Sequence, residues 1–281
     1  MHRQIRAIQY VANNVEQYAL DDWLKTCELA ARAGGQQILA LRGQFQTRAK
    51  APADLVTDAD VASQEAIRQV IAGRFPDHAF VGEEQSASAS RSDPSKLTWI
   101  VDPLDGTTNY VHGYPHYAVS VALAQGRMLL VGAVYDPVAD LCFVASTGRG
   151  AWCNGVRMIA SRVANVSDAL GVVSLPARVQ RNSPDLLDFI QASQACQAVR
   201  RSGSAALNFA YVAKGALDAF WASHIHPWDV AAGVLLVREA GGVVTARDGG
   251  EFELWNPNFL AAANAELHAS VLNMLDSSDA Q

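Results

Sequence analysis

Two aspartates, Asp102 and Asp105, lie three residues apart in the stretch Trp99-Ile100-Val101-Asp102-Pro103-Leu104-Asp105-Gly106-Thr107-Thr108-Asn109. Trp99 to Val101 is apolar and reads as a buried strand, and Pro103 with Gly106 reads as a tight turn after it. Carboxylates held this close repel each other, so a compact turn carrying both favours a bound cation. An oxygen-only donor set suits a hard ion such as magnesium. The backbone amides from Gly106 onward open what reads as a helical turn, a place that can receive an anion. The hydroxyls of Thr107 and Thr108 can donate or accept hydrogen bonds beside it. A cation and an anion side by side point to phosphate chemistry.

Further carboxylates stand upstream, each with two readings. Asp58 and Asp60 follow a candidate N-cap at Thr57 or Asp58, and acidic residues in a first turn complement the helix dipole. By spacing alone, that capping role outweighs a place in a site. Glu83 and Glu84 follow a short apolar run and Gly82, where they are either solvated charge or a ligand pair reaching into a cleft.

The elements that must position these groups fall into two patterns. In the first half, an apolar stripe of Leu20, Trp23, Leu24, Cys27, Leu29, Ile38 and Leu41 predicts a long helix from about Tyr18 to Phe45, with the first dozen residues a frayed extension. Gly34-Gly35 marks close packing or a slight bend there. A loop or short hairpin through Pro52 precedes a second helix that runs to about Arg74. Ala79 to Val81 forms a short strand, and the serine-rich run from Ser86 to Ser95 is a surface loop. His116 to Ala124, Met128 to Tyr135 and Leu141 to Ala145 make an antiparallel meander closed by a turn at Gly148–Gly155. In the second half, strands and helices alternate. Ser183 caps a helix with Pro184 at its first position, Ser202-Gly203-Ser204 caps another, and a strongly apolar helix from Trp228 to Ala240 stops at Gly241-Gly242. The chain therefore divides into an α+β part (1–160), carrying most of the candidate ligands, and a layered α/β part (161–281). Neither a repeat nor a flexible linker separates them, so the halves should pack tightly.

Composition narrows the function. With 281 residues, half of them hydrophobic, the chain can bury a sizeable core. The net charge of -6 argues against nucleic acid as the main partner, and the small basic cluster Arg200-Arg201 reads as solvated surface. The four cysteines are far apart with no C-x-x-C pair, which predicts buried free thiols rather than zinc or disulfides. No secretory signal and no membrane-spanning run is legible, so a soluble, cytoplasmic protein is expected.

Asp102-Pro103-Leu104-Asp105-Gly106-Thr107-Thr108-Asn109 resembles the first signature of the inositol monophosphatase family. Trp228-Asp229-Val230-Ala231-Ala232-Gly233, followed by Glu239-Ala240-Gly241-Gly242, resembles the second. Gly82-Glu83-Glu84 and Asp54-Leu55-Val56-Thr57-Asp58-Ala59-Asp60 are similar to two further family motifs in the right order, so the likeness covers about residues 18 to 275. The resemblance implies an αβαβα layered sandwich and a magnesium-dependent, lithium-sensitive phosphomonoesterase that is often a homodimer. By position it implies that Glu83, Asp102 and the Leu104 carbonyl hold a first magnesium. Asp102, Asp105 and Asp229 would hold a second, and Glu83 would help with a third. Asp60 and Thr107 would orient and deprotonate the attacking water, and the amides of Gly106 and Thr107 would receive the phosphate. It thus reverses the capping-only reading of Asp60 and the surface reading of Glu83.

Substrate choice is expected in the second half. Gly203, Ser204 and Ala205 match a segment that touches the sugar or cyclitol. Ala222 stands where many inositol phosphatases carry a glutamate that binds inositol hydroxyls. Ser223, His224 or His226 could compensate, the two histidines facing one side if that chain is extended. An inositol-1-phosphate-type monophosphatase is the leading expectation. Histidinol phosphate, fructose 1,6-bisphosphate, other sugar phosphates and phosphoadenosine phosphate are alternatives within the superfamily. A regulatory, protein-binding role in transcription, as in some bacterial relatives, is an alternative of another class.

Overall fold

The computed structural model describes residues 2–51, 54–84, 95–176 and 178–276. The first helix, α1 (His2–Ala40), is continuous through the first dozen residues and stops short of Phe45. A hairpin of β1 (Thr47–Ala51) and β2 (Asp54–Thr57) leads into α2 (Asp58–Ala72). Seven strands follow in one sheet: β3 (Ala79–Gly82), β4 (Leu97–Asp105), β5 (Ala118–Gln125), β6 (Met128–Asp136), β7 (Leu141–Ser146), β8 (Ala151–Cys153) and β9 (Val156–Arg157). Their spatial order is their chain order. All pairs are antiparallel except β3 with β4, so the sheet is mixed at that edge. β8 lies within the Gly148–Gly155 region expected only to turn, and β9 follows directly after it. The run from Ser86 to Pro94 lies outside the described residues.

The one-turn helix α3 (Thr107–Val111) follows β4. The second sheet contains β10 (Leu170–Ser174), β11 (Ala198–Arg200), β12 (Ala219–Ala222), β13 (Val243–Ala246) and β14 (Phe259–Ala262) in the order β11-β10-β12-β14-β13. β10 is parallel to β11 and β12, whereas β14 is antiparallel to β12 and β13. Between the strands run α4 (Pro184–Ala195), α5 (Ala205–Ala213), α6 (Pro227–Glu239) and finally α7 (Ala265–Asp276).

Three apolar clusters mark the seams of an αβαβα sandwich. α1 and α2 cover the outer face of the first sheet, α5 and α6 fill the space between the sheets, and α4 and α7 cover the far face of the second. β5 makes the two faces visible. Its Val119, Val121 and Leu123 join the α1 side, while Ala118, Ala122 and Ala124 join the α6 side. Small residues are needed on that inner face, because a Cβ on Gly132 of β6 would come within 2.9 Å of the Ala232 backbone. On the outer face, a Cβ on Gly35 would fall 2.5 Å from the Tyr135 ring, and one on Gly34 would fall 2.6 Å from Ser63 Oγ. Close packing, rather than a bend, explains the glycine pair. Among the described residues, no helix is long and apolar enough to cross a membrane. All four cysteines are free thiols, with Cys27, Cys142 and Cys153 buried and Cys196 only partly so.

Candidate active site

β4 does not end at Asp102 but runs on to Asp105. Residues three apart on a regular strand face opposite sides. Here Asp102 pairs with Ser120 and Asp105 with Ala118, so β4 carries one residue more than β5 between these pairs. That bulge restores both carboxylates to one side. Pro103 sits in it with no N–H to lose from the ladder. Its carbonyl accepts the Ser63 hydroxyl at 2.7 Å, and the Leu104 N–H turns back to Asp102 Oδ1 at 3.0 Å. Gly106 then takes φ +93°, and a Cβ there would meet the carbonyls of His116 at 3.0 Å and Gly203 at 3.2 Å. Only glycine fits that left-handed position at such close approach.

Asp229 reaches the same place from the other half. His226 precedes the first turn of α6, Pro227 opens it, and Asp229 Oδ2 accepts the His226 N–H at 2.8 Å. Oxygens of Asp102, Asp105 and Asp229 all lie within 4.8 Å of one another. Burial, and then the charges of Glu83, Asp105 and Asp229, push the Asp102 carboxyl well above the usual carboxylate range. Burial and the charge of Asp229 push Asp105 up to about 7, against hydrogen bonds from Ser204 and from the α5 amides. The charges that act most strongly on Asp102 are all carboxylates. Three acids this close repel one another, and their donors are all oxygens, so the group fits a hard divalent cation.

Glu83 lies half-buried just beyond β3, close enough for its charge to raise both Asp102 and Asp60. The turn is held by Gln64, whose Oε1 accepts the Glu84 N–H at 3.1 Å. Asp60 serves two structures at once. Its Oδ2 accepts the Thr57 N–H at 2.7 Å in a capping box that starts α2, and its Oδ1 faces the Thr107 hydroxyl at 3.1 Å. The Thr107 hydroxyl also lies 3.0 Å from the Leu104 carbonyl. Asp60 thus caps α2 and contacts Thr107 at once. Asp58, by contrast, pairs with Arg48 at the surface.

A cavity of about 570 Å³ opens over Asp105 and Asp229, walled by Thr108, Asn109, Val173 to Pro176, Arg201 to Gly203, Ala205 and Ser223 to Ile225. Of the residues expected near a substrate, Gly203, Ala205 and His224 line this cavity, whereas Ser204 and Ala222 do not. Ser204 is fully buried, where it caps α5 and donates its hydroxyl to Asp105 Oδ2, with the Ala206 N–H adding a bond at 2.7 Å. Its place is behind the carboxylate rather than against a substrate. Ala222 ends β12 with its methyl in the inter-sheet core. His224 and His226 do not share a side, because His224 takes φ +55° and breaks the extended run, while His226 stacks on Trp228 at 4.7 Å. Arg201, read as solvated surface, stands on the cavity wall. Asn109 was not singled out by type or spacing, yet its Nδ2 donates to the His116 carbonyl at 2.7 Å and the Ser202 carbonyl at 2.9 Å, clamping the two halves beside the site.

The layered fold and this carboxylate pocket define a metal-dependent phosphatase. Residues 19–280 match the profile of the inositol monophosphatase family. The chain belongs to that family. It is 41% identical to the Nus factor SuhB of Pasteurella multocida over 83% of this chain and 88% of that protein. It is 38% identical to an inositol-1-monophosphatase of Synechocystis over 91% of this chain and 89% of that one. The inositol monophosphatase of Anabaena superposes with a TM-score of 0.81 at 34% identity, covering 92% of this chain and 97% of that structure.

Proposed function

We propose that the site hydrolyses small phosphomonoesters with two to three magnesium ions bound, inositol 1-phosphate-type esters being the leading substrates. The observation that carries this reading is the approach of Asp102, Asp105 and Asp229 within 4.8 Å beside the Asp60–Thr107 contact. Glu83, Asp102 and the Leu104 carbonyl form one ligand group, and Asp102, Asp105 and Asp229 the other. These ligand groups would hold magnesium, which would supply an activated water and neutralise charge on the phosphoryl and leaving oxygens. The Thr107 hydroxyl, 3.1 Å from Asp60 Oδ1, would orient the attacking water and take up its proton as the hydroxyl's own proton passes to Asp60. Burial raises Asp60, which makes it a better base near neutral pH. The first amides of α3, from Gly106 and Thr107, face the phosphate. Ser204 and the start of α5 hold Asp105 in position.

The alcohol part of the substrate lies against Gly203, Ala205 and His224 in the second half, while residues 1–160 supply most of the ligands. Ala222 lies in the inter-sheet core and offers no carboxylate, so inositol hydroxyls find no partner there. Histidinol phosphate, fructose 1,6-bisphosphate, other sugar phosphates and phosphoadenosine phosphate therefore stay in the panel. A lithium-sensitive, cytoplasmic homodimer completes the proposal. The likeness to a chain named Nus factor SuhB favours a second reading, a regulatory protein-binding role in transcription. Phosphate release from the panel, with and without magnesium, separates the two: magnesium-dependent turnover supports the enzyme, and no release from any ester removes it.

A further inference from the structure

A second cavity of about 450 Å³ adjoins the first and shares Ser223, His224 and Ile225 with it. Its wall is polar, formed by Asp185, Arg247, Asn256 and Asn258 around the shared segment. Asp185 stands in the first turn of α4 and is only 7% exposed. The Arg247 guanidinium in the same wall binds the buried Asp188 carboxylate through contacts of 2.6 to 2.9 Å, so those two charges offset each other. Among the described residues, the one basic side chain within 4 Å of the Asp185 carboxylate is His224, through Nδ1 at 3.7 Å. That imidazole is 77% exposed and is no permanent cation. His224 holds its left-handed backbone at the rim between the cavities, a conformation that non-glycine residues keep where their surroundings impose it.

We propose that this second cavity is a leaving-group subsite in which Asp185 selects phosphomonoesters whose alcohol carries an ammonium group. The inference rests on the phosphatase reading above. With the phosphate at Asp105 and Asp229, the alcohol passes Ser223 to Ile225 and its ammonium replaces His224 as the partner of Asp185. A nearly buried carboxylate gains more from such a cation than an exposed one does, because less solvent screens the pair. The side-chain amides of Asn256 and Asn258 are placed for hydroxyls beside the ammonium.

Two series of substrates test this: ω-aminoalkyl phosphates of two to six carbons and the ω-hydroxyalkyl phosphates of equal length, assayed with magnesium on the wild type, Asp185→Asn and Asp185→Glu. At the chain length that reaches Asp185, the amine should be preferred on the order of tenfold in kcat/KM. Asp185→Asn should abolish that preference, with the hydroxyalkyl ester as internal reference, and Asp185→Glu should keep it at an altered chain length. Equal turnover of amine and alcohol at every length overturns the subsite alone, as does a preference that survives Asp185→Asn. Absence of turnover for both series and for the wider ester panel overturns the subsite and the phosphatase reading together.

Discussion

Removing divalent cations should make this protein less stable as pH rises. Asp105 is pushed up to about 7 in the folded chain, whereas the same carboxyl in an unfolded chain titrates near 3.8. Between those values the folded state holds a proton that the unfolded state has released, so stability falls with increasing pH. Integrating that one group from pH 5 to pH 8 gives a loss of about 3 kcal/mol. For a chain of this size, that corresponds to a fall of roughly 5 to 10 °C in Tm. Asp102 is raised further by burial and by three carboxylates, and it acts in the same direction. The half-buried His78 and His116 and the buried His268 are lowered by desolvation and act in the opposite direction. Comparison with Asp105→Asn cancels them. Thermal melts in chelator from pH 5 to 8 should therefore show the wild type losing stability relative to Asp105→Asn. With saturating magnesium the trend should reverse, because the ion binds ionised carboxylates and stabilises only the folded state. Parallel pH curves for wild type and variant in chelator would refute the claim that the Asp105 proton is linked to folding.

Asp229→Asn should lower kcat by on the order of 10² to 10³ with little change in Tm, since an amide oxygen can still accept the His226 N–H; an unchanged kcat would take Asp229 out of the metal site. Ser204→Ala removes a hydrogen bond that favours ionised Asp105, so the acid limb of the pH–rate profile should move to higher pH and kcat/KM at pH 6 should fall roughly tenfold. A profile that keeps its position would show that Ser204 only caps α5. Gly35→Ala drives a methyl into the Tyr135 ring and should cost about 1 to 3 kcal/mol in urea unfolding, without altering kcat of the protein that remains folded.

The N-caps at Thr57, Ser183 and Ser204, and Pro184 at the start of α4, were legible because a cap is made by residues within one turn of each other. The strands of the meander were legible because runs of apolar and β-branched residues carry their own signal. What escaped was set by distant partners. The mixed order of the second sheet and the parallel β3–β4 edge depend on which strands meet. Ser204 was expected against a substrate and instead sits behind Asp105, 99 residues away in sequence. His224 and His226 were expected on one side, but the left-handed turn at His224 separates them.

The chemistry of the site belongs to the sequence. Four motifs name its carboxylates, its threonine and its glycine, and acid side chains brought together call for a cation. The tertiary structure decided how they converge. A one-residue bulge at Pro103 places Asp102 and Asp105 on one side of β4, which their spacing on a regular strand would forbid. The packing of α6 between two sheets brings Asp229 to them, and burial there raises their proton affinity. Residue type sets what a group can do, but charge separation and desolvation depend on neighbours that only folding brings together.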